Sequence, residues 1–145
     1  EIIPIGELPH GSSLGTGMCE TNDGRIFSGS TESLYFWGYD PKTGKFITDM
    51  PYLVLDAASH SIAYDKKENK LYVAVFSKDS KNYLFRVDPD TKKKEDITPK
   101  EYKNKPKFQF YDMMVFGDIL MIRYPSTSET IFFNIRENIL DFIAI

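Results

Sequence analysis

Cysteine is almost absent from this chain. Cys19 is the only one in 145 residues, so no internal disulfide can form and no cysteine-rich metal site can be built. A lone thiol fits a reducing compartment without fixing one. Histidine is nearly as scarce: His10 and His60 are the only two, and two imidazoles alone do not complete a zinc site. No apolar run approaches the roughly 20 residues of a membrane helix, and neither an Asn-x-Ser/Thr sequon nor a signal-peptide pattern is present. The first residue is Glu1 and not Met, which leaves a processed or excised piece, a lost leader and the compartment open. A concentrated positive surface is also missing. The formal net charge is −3, and the one basic run, Lys92-Lys93-Lys94, is followed at once by Glu95-Asp96, so nucleic acid is not an expected partner, and nor is a membrane.

Aromatic residues are abundant, at 14%, carried mostly by nine Tyr and eleven Phe; this composition favours strands. The length suits one domain with a substantial core. The most informative stretch is Tyr39-Asp40-Pro41-Lys42-Thr43-Gly44-Lys45-Phe46. A close copy, Val87-Asp88-Pro89-Asp90-Thr91-Lys92-Lys93-Lys94, follows 48 residues later, and Phe133-Asn134-Ile135-Arg136-Glu137-Asn138 stands in the same role 46 residues after that. Asp-Pro and Asn set bends at fixed offsets, and Gly44 takes any positive φ.

Apolar segments flank each copy. The first repeat reads as strands at Met18 to Glu20, Ile26 to Ser30, Leu34 to Tyr39 and Phe46 to Thr48, with an Asp23-Gly24 hairpin turn. In the second, Ser61 to Asp65, Leu71 to Phe76, Tyr83 to Val87 and Glu95 to Thr98 repeat the pattern, and in the third Tyr111 to Phe116, Ile119 to Tyr124, Thr130 to Ile135 and Ile139 to Ile145 do so. The Pro99 to Lys107 connection holds at most one helical turn. Residues 1–9, with Pro4, read as an edge strand without a partner.

Four-stranded antiparallel units at this period are the blades of a β-propeller. The expected fold class is therefore all-β, three four-stranded antiparallel propeller blades in a single domain over 1–145: blade 1 at 16–50, blade 2 at 61–98, blade 3 at 108–145, and 1–9 as an edge strand of a neighbouring blade. From Asp23-Gly24-Arg25 with Ile26-Phe27-Ser28-Gly29-Ser30, and from the Tyr39 to Lys45 turn, residues 16–145 resemble, at the level of the blade, bacterial six- and seven-bladed propellers. Those include virginiamycin B lyase, the gluconolactonase-regucalcin group and the pyrroloquinoline-quinone-like repeat proteins. The resemblance carries no catalytic residue over. Known propellers close with roughly four to eight blades, and a three-blade arc leaves an apolar sheet face at each end, against the habit of terminal repeats. Further propeller blades, from the same or another chain, are the expected partners, the chain being either part of a homo-oligomer or a fragment of a larger propeller, and the isolated chain is not expected to be a stable monomer.

In such an array, ligand sites lie on loops at the channel mouth, here His10 to Thr16, Ser30 to Ser33, Leu55 to Ser61, Lys78 to Asn82, Lys105 to Asp112 and Pro125 to Glu129. His60 is placed there as a general base or metal ligand, or simply as a hydrogen-bonded loop histidine, and His10 occupies the corresponding loop one repeat earlier. Asp112 is an inward acid suited to a cation or sugar hydroxyl. Arg123 is suited to a carboxylate, or to an outward pair with Glu129. Glu20 and Asp65, six residues before successive second strands, are metal-ligand candidates or turn openers. Tyr35, Phe36, Trp37, Tyr39, Phe85, Phe132 and Phe133 read as core between blades. The leading functional expectation is a binding module for a small molecule, glycan or peptide, without a cofactor. The alternatives are a lyase or hydrolase acting on a sugar or lactone with His60 as base, and a purely structural segment of a larger propeller.

Overall fold

The computed structural model describes residues 1–11, 17–31, 33–103, 105, 109–124, 129–137 and 139–141. The chain is all-β and builds three antiparallel sheets, each in simple sequential order. The first holds β1 (Met18–Glu20), β2 (Ile26–Ser28), β3 (Trp37–Asp40) and β4 (Lys45–Ile47). The second holds β5 (Ala57–Asp65), β6 (Lys70–Ser77), β7 (Asn82–Val87) and β8 (Lys94–Asp96). The third holds β9 (Asp112–Phe116), β10 (Ile119–Tyr124), β11 (Glu129–Asn134) and β12 (Ile139–Asp141). One helical turn, α1 (Lys100–Lys103), lies between the second and third sheets. Residues 1–8 carry no strand. The part of the expected last strand beyond Asp141, and loop residues 12–16, 106–108 and 125–128, lie outside the described residues.

The recurring turn has one chemistry at all three places. Asp40 Oδ1 accepts the Lys42 amide at 2.9 Å, Asp88 Oδ1 accepts the Asp90 and Thr91 amides at 2.9 and 2.8 Å, and Asn134 Oδ1 accepts the Arg136 and Glu137 amides at 3.0 and 3.2 Å. A short side-chain acceptor that bonds its own chain two residues on makes an Asx turn, which explains why Asp or Asn stands at each copy. Gly44 and Lys92 fill the same left-handed position, at φ 68° and 61°.

Alternation along the strands sends side chains to two faces, and the second sheet is buried on both. Toward the first sheet it presents Ile62, Tyr64, Leu71, Val73, Val75, Phe85 and Val87, which pack with Phe27 and Phe36. Toward the third it presents Ala63, Tyr72, Ala74 and Leu84, packed against Leu120, Ile122, Ile131 and Phe133. The sheets therefore stack face to face as two dry layers. Gly38 permits the closest approach in the first layer, since a Cβ there would lie 2.8 Å from the Phe27 ring.

Ion pairs at the strand turns fasten the stack. Arg25, in the β1–β2 turn, reaches Asp90 in the β7–β8 turn at 2.6 Å. Asp65, closing β5, is gripped by both terminal nitrogens of Arg136 from the β11–β12 turn. The same pair of turns meets at both interfaces with the charges exchanged.

Two strand starts differ from expectation by three residues or more. Strand β5 begins at Ala57, four residues early and across a bulge between Ala57 and Ser59. The first sheet causes this: Ser30 O accepts the His60 amide at 2.8 Å, and Thr31 bridges to Ser59. Strand β3 begins late, at Trp37, because Ser30 Oγ donates to Tyr35 O and Ser33 Oγ accepts the Tyr35 amide, which ties Tyr35 into a turn.

Candidate functional site

The first strands of the three sheets, β1, β5 and β9, run side by side and line a groove of about 790 Å³. Met18 forms one wall, Ser61 and Ile62 the floor, and Tyr111 to Met114 the other wall together with Met121 and Arg123 on β10. Period-two geometry explains the mixed chemistry of that second wall. Asp112, Met114, Met121 and Arg123 all project from the face of the third sheet that points away from the second, with Met114 opposite Met121 and Asp112 opposite Arg123 in register.

That register pairs the two predicted polar residues. Arg123 Nη2 donates to Asp112 Oδ2 at 2.8 Å, and Nε reaches the same oxygen at 3.3 Å. Both side chains stay about half exposed, so the pair is hydrated and available. The outward partner considered for Arg123, Glu129, instead binds Lys105 at 2.6 Å. The volume lies within the range of small-ligand sites. Four of the five methionines line it, and thioether side chains make an adaptable apolar surface.

The structure moves His60 away from the mouth. It is 0% exposed, in β5 between the first two sheets. Nδ1 lies 3.3 Å from Ser30 Oγ and 3.4 Å from Ser30 O. Ser30 Oγ gives its proton to Tyr35 O, and a carbonyl can only accept, so the neutral ring carries its proton on Nδ1. Burial pushes its pKa down to about 4, partly offset by the Ser30 backbone bond. Of the two readings, His60 fits the hydrogen-bonded one, as a neutral imidazole in the core, and it lies within a strand where a loop was expected.

Asp65 is likewise withdrawn from ligand duty. Its side chain is 2% exposed and spent on Arg136. Burial raises the carboxyl, and Arg136 together with the Lys67 and Glu68 backbone amides outweighs this and holds it below its ordinary value. Glu20 is exposed on β1. Among the described residues no group of three or more His, Cys, Asp or Glu could hold a metal ion. His10 falls in a single 3-10 turn, Pro9–Gly11, and its side chain is outside what the structure describes. Cys19 packs against the first core layer, and burial lifts its thiol to about 12.

No family model and no curated protein matches this chain. Among the described residues no helix is long and apolar enough to cross a membrane.

Of the residues lining the groove, the sequence singles out Asp112 and Arg123 and includes Ser61 and Tyr111 in its channel-mouth segments, whereas Met18, Met114 and Met121 are not among its site candidates. The site was expected in the loops, whereas the groove runs along the first strands themselves. The available signal was the first-strand position of Met18, Ser61 and Met114 in three successive repeats.

Proposed function

We propose that this chain is a propeller-type binding module whose innermost strands hold a ligand in the groove, with further blades closing the open side. The carrying observation is the groove itself: about 790 Å³, with one hydrated Arg–Asp pair set among methionines. A largely apolar lining with a few convergent polar groups is the usual make-up of a ligand site. Arg123 offers a donor fork, Asp112 an acceptor, Tyr111 and Ser61 hydroxyls, and Met114 and Met121 apolar contact.

That combination suits an oligosaccharide or a short peptide bearing both a carboxylate and an apolar or ring face. The described lining includes no histidine or cysteine, so the proposal is one of binding and not of chemistry. The three-sheet stack supports the propeller reading through its repeated turn and its two face-to-face layers.

The test is a screen of the purified protein on glycan and peptide arrays, followed by calorimetry on Arg123→Ala and Met121→Lys. Loss of at least tenfold in affinity in both variants is expected. Binding unchanged by both would overturn the assignment of the groove.

A further inference from the structure

The two interfaces inside the chain supply a rule for a third, and from it we infer that a second copy of this chain docks its first sheet on the open face of the third. This rests on the propeller-type reading above and names the partner that closes the groove. Beyond the groove the open face presents Phe116, Ile119 and Phe132, with Phe116 48% exposed. The outer face of the first sheet is its counterpart: Met18 stands exposed, Ile26, Tyr39 and Phe46 are half-buried, and Trp37 is buried among them. Gly6 lies beside the Phe46 ring, which places the exposed Ile2, Ile3 and Ile5 near that face.

Charge at the rim chooses the partner. In both existing interfaces the first turn of one sheet forms an ion pair with the third-to-fourth-strand turn of the next. The turns of these two kinds left over are Gly117-Asp118 on the third sheet, where Asp118 already pairs with Lys67 of the second sheet and with Arg136, and Asp40 to Lys45 on the first. Asp118 is about half exposed and uses only Oδ1, for Lys67 and Arg136. Lys42 and Lys45 are exposed, and among the described residues neither holds an ion pair. An acidic turn therefore meets a basic one, as at the other two interfaces. Because the two faces differ, the contact is head to tail, and two copies close a ring of six sheets with both contacts equivalent. Closure also sets Met18 of one copy near Asp112 and Arg123 of the other and covers the groove.

Sedimentation equilibrium on the full chain tests this. Twice the 16.7 kDa chain mass is expected, falling to the single mass in Phe116→Glu and in Lys42→Glu/Lys45→Glu. Because each variant spoils only one of the two faces, mixing them restores one good contact and association returns. Circular dichroism melts confirm that the variants fold, as expected for exposed positions. A single-chain mass at every concentration, a dimer untouched by Phe116→Glu, or a mixture that stays monomeric would overturn the inference. A monomer that still loses ligand on Arg123→Ala rejects the second copy alone, whereas a dimer without groove-dependent binding rejects the binding reading alone.

Discussion

Arg136→Ala should be the most damaging single change at the sheet turns. Both terminal nitrogens of the guanidinium hold the Asp65 carboxylate, with Nη2 to Oδ1 at 2.9 Å, and Nε reaches Asp118 at 2.8 Å. Truncation leaves Asp65, with a side chain 2% exposed, facing only backbone amides, Lys67 at 3.0 Å and Glu68, with no cation paired to it. Removing one member of a buried pair costs about 3–5 kcal/mol, chiefly because the surviving charge is stranded. At about 2–4 °C per kcal/mol for a chain of this size, the melting temperature should fall by about 6–20 °C.

The pH dependence separates this cause from a simple loss of packing. In the native protein the folded Asp65 carboxyl lies below its ordinary value. Its contribution is therefore present above about pH 4 and is lost as pH falls through the lower folded value. In Arg136→Ala burial is opposed only by the backbone bonds of Lys67 and Glu68, so the carboxyl rises relative to the native protein, and the penalty is greatest at pH 7 and eases as protonation neutralises the side chain. Urea unfolding at pH 7 and pH 4 should show the gap between native and variant narrowing. The double variant Asp65→Leu/Arg136→Leu, which removes both charges, should recover most of the loss. A loss below about 1 kcal/mol at pH 7, or the same loss at both pH values, would refute the stranded-charge argument.

Two further outcomes follow from the same packing. The folded pKa of His60, about 4, lies below its unfolded value near 6.5, so the unfolded chain binds the extra proton; stability should fall by about 3 kcal/mol between pH 7 and pH 4. His60→Gln should flatten that part of the urea-midpoint profile, and an unchanged slope would count against a buried neutral imidazole. Gly38→Ala would set a methyl 2.8 Å from the enclosed Phe27 ring and 3.1 Å from the Ile26 carbonyl, so a loss of about 1–3 kcal/mol is expected, with thermal melts as the check.

What the sequence revealed depended on whether the deciding interaction was local. Asp40, Asp88 and Asn134 bond amides two or three residues on, and those turns made three sheets and their strand order legible. The apolar runs Leu71 to Phe76 and Ile119 to Tyr124 likewise marked β6 and β10 as strands. By contrast, the start of β5 was hidden in Ala57-Ala58-Ser59-His60, a stretch that reads as a polar link. Its extension is imposed by Ser30 and Thr31 from another sheet, and that tertiary tie is what buries His60. Asp112 and Arg123 were recognised singly, and their pairing required the β9–β10 register. The methionines of the groove carry no motif, and only the convergence of three first strands gathers them.

The covered face can be read directly through methionine oxidation. Met50 is buried in the first core layer, whereas Met114 stands on the open face of the third sheet. Peroxide footprinting by mass spectrometry across a dilution series gives both rates in one sample. If a further sheet closes over the groove, Met114 is protected at high protein concentration and oxidises faster on dilution, while Met50 stays slow throughout. A Met114 rate that is fast and independent of concentration would contradict that closure.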